Sequence, residues 1–151
     1  MFKGNKSQYT PTNESKYLGN SKNIICRSSW ERHFCYFLDT NTNVDKWSSE
    51  EFVIRYKSPI DHKIHRYFID FAIYTNDKIS LIEIKPFAQT QPPKKPKRMT
   101  EKSKNTFLYQ TKTYVINQAK WAAAKKVAER INGTFNIYTE HELRKLGIKI
   151  Y

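Results

Sequence analysis

Asp70 and, after twelve intervening residues, Glu83-Ile84-Lys85 put three charges inside segments whose other residues are those of β-strands. The surrounding runs are His65-Arg66-Tyr67-Phe68-Ile69-Asp70-Phe71 and Ser80-Leu81-Ile82-Glu83-Ile84-Lys85-Pro86. Alternate residues of a strand share a face, so Glu83 and Lys85 emerge side by side, and pairing of the two strands brings Asp70 to them. Two carboxylates about 4 Å apart repel by roughly 4 kcal/mol at an effective dielectric of about 20, so a fold that holds them together calls for a cation. Mg²⁺ fits: it takes one or two carboxylates, keeps several waters and reaches phosphate oxygens. Mn²⁺, which also favours oxygen ligands, is an expected substitute.

These charges predict phosphodiester cleavage. Asp70, Glu83 and the backbone carbonyl of Ile84 are the expected metal ligands, and such a metal lowers the pKa of an attacking water. Lys85 is expected to orient that water and to stabilise charge building on the phosphoryl oxygens. A surface salt bridge between Glu83 and Lys85 is the ordinary competing explanation. Asp70 and the apolar neighbours weigh against it.

Composition points the same way. The chain has 151 residues, enough for one domain with a real core. Lys and Arg number 27 against 14 Asp and Glu, a formal net charge of +13, which predicts a polyanionic partner. No apolar run of about 18 residues is present to cross a membrane, and no lysine-rich amphipathic helix to lie on one, so DNA is the expected partner. The segment Met1-Phe2-Lys3-Gly4-Asn5-Lys6-Ser7-Gln8 lacks the apolar core of a signal peptide, which predicts a protein that is not secreted. Cys26 and Cys35 are expected to be free thiols.

Residues 1–24 are polar and carry Pro11 and Gly19, which predicts an extended arm outside the core, with Tyr9 and Tyr17 as its candidate anchors. The domain proper is expected over 25–151. Ser28-Ser29-Trp30-Glu31 has the form of a capping box, and Trp30, Phe34, Phe37 and Leu38 follow at helical spacing. Strands are expected at 51–56, 64–75 and 79–85 as an antiparallel meander, with Asn76-Asp77 turning the chain. Residues 87–106 carry six basic residues and three prolines and read as a mobile basic loop. A long helix follows from Phe107 to Ile131, then a fourth strand at 134–138 and a last helix capped at Thr139-Glu140-His141-Glu142. The order α-β-β-β-α-β-α implies an α/β sandwich: a mixed four-stranded sheet flanked by helices, with the charged triad at one end.

Further candidates flank the triad. Lys94, Lys95, Lys97, Arg98, Lys102 and Lys104 of the basic loop are the expected phosphate contacts, and Lys112 and Lys120 on the long helix extend the set. A solvated helix face explains Lys112 and Lys120 equally well. Glu31 has two readings, as the third-position acid of the capping box with Ser28 or as a further acid at the metal site.

The acid, variable spacer and Glu-x-Lys resemble the signature of the PD-(D/E)xK nuclease superfamily, with Ile69 where the signature has proline. A closer resemblance covers most of the chain. Pro11-Thr12-Asn13-Glu14-Ser15-Lys16-Tyr17-Leu18-Gly19-Asn20, Arg27-Ser28-Ser29-Trp30-Glu31, Tyr67-Phe68-Ile69-Asp70-Phe71, Leu81-Ile82-Glu83-Ile84-Lys85-Pro86, Ala119-Lys120-Trp121 and Tyr138-Thr139-Glu140 resemble the head completion nucleases of T4-like bacteriophages, and more distantly the TnsA-type endonucleases. The resemblance implies a restriction-endonuclease-like core and DNA endo- and exonuclease activity. It also implies a role in virion assembly, trimming packaged DNA before heads join tails, in the cytoplasm of the infected host or on the virion, with the phage head or its connector as partner. It adds weight to Glu31 as an acid facing the metal. The other reading the sequence leaves open is a non-catalytic DNA-binding or head-tail joining protein that keeps the fold as a scaffold.

Overall fold

The computed structural model describes residues 6–150; residues 1–5, where the expected arm begins, and residue 151 lie outside the described residues. In chain order the elements are β1 (Ser7–Tyr9), β2 (Ile24–Cys26), α1 (Ser29–Thr40), β3 (Lys46–Ser49), β4 (Val53–Lys57), β5 (Ile64–Phe68), β6 (Phe71–Thr75), β7 (Lys78–Ile84), α2 (Phe87–Thr90), α3 (Glu101–Arg130), β8 (Thr134–Tyr138) and α4 (Glu140–Lys145). The central sheet has the order β3-β6-β7-β8. Its first two pairings are antiparallel, and β8 joins β7 in parallel after the α3 crossover. This is the mixed four-stranded sheet flanked by helices that the sequence predicts. Among the described residues no helix is long and apolar enough to cross a membrane.

Strand alternation sorts the sheet's side chains into two cores. On one face Phe71, Ile82 and Ile84 pack with Trp30, Phe34 and Leu38 of α1 and Leu143 of α4. On the other, Ala72, Leu81 and Phe135 meet Trp121, Ala124 and Ala128 of α3. Fully burying a residue such as Phe34 or Leu81 contributes roughly 1.5–3 kcal/mol, so these stripes fix which face each strand presents. Leu81, Glu83 and Lys85 share the α3 face by the same alternation.

Two turns show why the chain reverses where it does. Asn76 and Asp77 both have positive φ, 48° and 63°, as the two-residue loop joining β6 and β7 requires. At the end of α3, Asn132 takes the left-handed conformation, its amide bonding to the Glu129 carbonyl, while the Gly133 amide bonds to the Ala128 carbonyl. These are the two hydrogen bonds of a Schellman cap. Gly133 therefore sits one residue beyond the left-handed position, and its own constraint is packing: a Cβ there would collide with the backbone carbonyl of Ile79.

Four expectations change. The strand expected at 64–75 breaks at Ile69-Asp70, so β5 pairs with β4 in a separate two-stranded ribbon and β6 enters the central sheet. Lys46–Ser49 supplies an additional edge strand, missed because its buried residues include Ser48 and Ser49 rather than an apolar alternation. The long helix starts at Glu101, where Thr100 and Ser103 form a reciprocal capping box, so the second half of the expected basic loop is helical. Finally, Ser7–Tyr9 pairs with Ile24–Cys26, and Tyr9 and Tyr17 are buried. From Ser7 onward the expected arm is part of the packed structure.

Candidate active site

The break at Ile69-Asp70 is what builds the site. Asp70 stands where the chain leaves the β4-β5 ribbon for the central sheet, and its Oδ2 accepts a 2.8 Å hydrogen bond from the Ile84 amide, which ties it to the end of β7. Glu83, on β7, is buried at 6% exposure, and its Oε2 accepts a 2.6 Å hydrogen bond from the Tyr67 hydroxyl. Lys85 follows two residues later on the same face, its Nζ 3.6 Å from Glu83 Oε1. Glu31 enters from the first turn of α1. Its amide donates to the Ser28 hydroxyl, but its carboxylate accepts from the Arg27 amide at 2.9 Å, so the return bond of a capping box is replaced by one a residue earlier. Asp70, Glu83, Lys85 and Glu31 all line one cavity of about 900 Å³, walled by α2 with the residues that follow it and by the N-terminal half of α3.

The carboxylates of this cavity act on one another. Burial, then the charges of Glu83 and Glu31, push the Asp70 carboxyl well above the usual carboxylate range, against the opposing pull of the Ile84 amide and Lys85. Burial also raises Glu31, opposed by its bond to the Arg27 amide. A site that disfavours its own carboxylates in this way favours a cation. The donors are all hard oxygens: among the described residues no hydrogen bond reaches Asp70 Oδ1, and Glu83 Oε1 is engaged only by the longer contact to Lys85. Among the described residues no group of three or more His, Cys, Asp or Glu forms a metal cage by itself. Two carboxylates completed by a backbone carbonyl, water and substrate oxygens are the sort of incomplete set that suits Mg²⁺, whereas a structural zinc site is closed by side chains.

Of the expected phosphate contacts, Lys94 lines the cavity. Lys95, Lys97 and Arg98 are exposed on the segment between α2 and α3, and Lys102, Lys104 and Lys112 are exposed on α3. None of these six residues lines the cavity. Lys120 differs: it is half-buried, with Nζ 5.4 Å from the Tyr67 ring centroid and 5.9 Å from that of Tyr56, and burial lowers its pKa. It does not line the cavity and stands behind Glu83's hydrogen-bond partner.

Sequence reading missed Tyr67. A tyrosine in an apolar strand is usually core, and only the break after Phe68 sets Tyr67 and Asp70 about the same glutamate. It also missed Glu140, whose carboxylate accepts from the Phe87 amide at 3.0 Å and so fixes the start of α2 at the cavity's edge. The Arg27–Glu50 ion pair, 2.7 Å, braces the entrance beside Glu31.

An acid cluster and a lysine at the end of a mixed α/β sheet match the class that comparison with known families returns. The chain belongs to the TnsA-like endonuclease family, whose N-terminal domain model matches residues 41–140, a stretch containing Asp70, Glu83 and Lys85. Over 145 residues, 94% of this chain and 95% of the relative, it is 41% identical to the head completion nuclease of Enterobacteria phage T4. No solved structure matches it significantly.

Proposed function

We propose that this protein is a Mg²⁺-dependent deoxyribonuclease with endo- and exonucleolytic action that completes phage heads by trimming packaged DNA before head-tail joining. The observation that carries the chemistry is the convergence of Asp70, Glu83 and Lys85 on one cavity, where burial and the neighbouring carboxylates raise the Asp70 pKa. Asp70, Glu83 and the carbonyl of Ile84 are the metal ligands in this reading, with Glu31 as a further acid. A bound divalent ion supplies Lewis acidity and a water of lowered pKa. Tyr67 holds Glu83 by one oxygen and leaves the other turned toward Lys85. Lys85 orients the nucleophile and meets charge developing on the phosphoryl oxygens. Lys94, Lys95, Lys97, Arg98, Lys102 and Lys104 hold the DNA backbone, and such contacts position DNA without reading its sequence.

The assembly role rests on the 41% identity to the T4 head completion nuclease. In this reading the protein acts in the cytoplasm of the infected cell, with the phage head or its connector as partner. The test of the chemistry is nicking of supercoiled plasmid with Mg²⁺, with Mn²⁺ and with EDTA, beside Lys85→Ala. Metal-dependent nicking that Lys85→Ala abolishes is the expected result. Nicking that persists in EDTA, or at the wild-type rate in Lys85→Ala, overturns it.

A further inference from the structure

The cavity extends well beyond the acid cluster, and the wall that α3 supplies carries no charged residue. Among the described residues the fully buried positions of α3 begin only at Asn117, and Ile116 just before it still packs on the core, so the earlier turns are at most half-buried. Tyr109, Gln110, Thr113, Tyr114 and Asn117 recur at helical spacing and present one uncharged face to the cavity. Phe87 and Gln89 of α2 line the same cavity. Of the basic residues, Arg27, Lys85 and Lys94 line the cavity, none of them on α3, and Tyr109, Phe87 and Met99 are exposed although large and apolar.

We propose that this cavity takes an unpaired DNA strand, so that the enzyme prefers single-stranded ends or flaps to fully paired duplex. The proposal rests on the nuclease reading and names its substrate. At about 900 Å³ the space falls in the range that encloses a drug-sized ligand, on the order of two nucleotides and far less than a double helix. Aromatic rings on a wall offer stacking to a base whose own neighbours no longer cover its faces. Side-chain amides such as Gln89 and Gln110 pair with Watson–Crick edges, which are open only in unpaired bases. The exterior cations then track the backbone while the bases enter, the arrangement of single-strand channels.

The test reads binding in EDTA, so that cleavage plays no part. Fluorescence anisotropy compares a blunt DNA hairpin with the same hairpin carrying an unpaired tail of about four nucleotides, longer than the cavity encloses. We expect the tailed hairpin to bind on the order of tenfold tighter, and Tyr109→Ala with Tyr114→Ala to remove most of that advantage while Tyr109→Phe with Tyr114→Phe keeps it. If the double alanine variant does not fold, Tyr109→Ala alone decides, because that side chain is 58% exposed. Equal affinity for blunt and tailed hairpins, or an advantage that survives the alanine changes, overturns the unpaired-strand assignment and leaves the plasmid result standing. Tailed-end preference together with no metal-dependent nicking sinks the nuclease reading instead.

Discussion

Asp39 and Asp70 are both acids enclosed by this fold, and their surroundings could hardly differ more. Asp39 is fully buried near the end of α1, where Oδ2 accepts from the Tyr9 hydroxyl and the Thr12 amide, each at 2.7 Å, and Oδ1 accepts from the Asn13 amide at 3.0 Å. Both oxygens are used, and the bonds pin residues 9–13 to the core. Among the described residues Asp70 has one hydrogen bond, from Ile84, and it shares a cavity with two other carboxylates. Burial of an acid therefore does not mark a site by itself. A closed hydrogen-bond shell makes a structural residue, whereas an oxygen left open beside like charges makes a place for a cation.

The sharpest break between the two regions is expected from substitutions that keep shape and change charge. Glu83→Gln should lower plasmid cleavage by on the order of 10²–10³-fold or more, with no loss of melting temperature, because it relieves repulsion among the acids. Single-turnover cleavage beside a thermal melt checks this, and a variant that cuts normally would remove Glu83 from the chemistry. Asp39→Ala should do the converse. Leaving the Tyr9 hydroxyl and the two amides without their acceptor costs about 3 kcal/mol and lowers the melting temperature, while cleavage per folded molecule stays at the wild-type level. A loss of cleavage at full stability would mean that the N-terminal segment serves the site and not the fold.

How much of this contrast the sequence revealed follows from the range of the interactions involved. Glu83 and Lys85 are two residues apart on one strand, so their common face follows from alternation alone. The helix at Ser29–Thr40, the Asn76-Asp77 turn and the parallel β8 were legible for the same local reasons. Asp39 was not, because its partners lie 26 to 30 residues away in a segment too polar to read as packed. The bend at Ile69-Asp70 was hidden too: Phe68-Ile69-Asp70-Phe71 keeps strand-like composition straight through it, and the register that divides β5 from β6 is set by β4 and β7. Tyr67 became visible as a partner of Glu83 only with that bend in place.

A smaller effect tests the open side of the comparison through pH. Because the folded protein holds the Asp70 proton above the usual carboxylate range, it binds more protons than the unfolded chain there, and stability falls as pH rises through that window. Asp70→Asn removes this contribution. The variant should melt above wild type at pH 8 without metal, with the gap closing as pH approaches about 4, the unfolded carboxyl value. Added Mg²⁺ should raise the wild-type melting temperature and leave the variant nearly unmoved. Melting curves across pH, with and without Mg²⁺, check both signs. A variant that gains nothing at pH 8 would show that Asp70's charge is already matched within the fold, as Asp39's is.

Glu31 lies between the two types and gives the smallest and most discriminating effect. Like Asp39 it has a structural bond, from the Arg27 amide, and like Asp70 it lines the cavity and adds to the charge that raises its neighbour. Glutamine keeps an acceptor for the Arg27 amide, so Glu31→Gln should leave the melting temperature nearly unchanged. It removes one negative charge from a site that needs negative charge to draw a divalent ion, so the Mg²⁺ concentration for half-maximal cleavage should rise. The effect should be smaller than for Glu83, because among the described residues no lysine pairs with Glu31 and its carboxylate is held by backbone outside β7. Cleavage titrated against Mg²⁺ on matched protein decides it. An unaltered titration would assign Glu31 to the start of α1 alone, since the only function then left to its carboxylate is to accept the Arg27 amide.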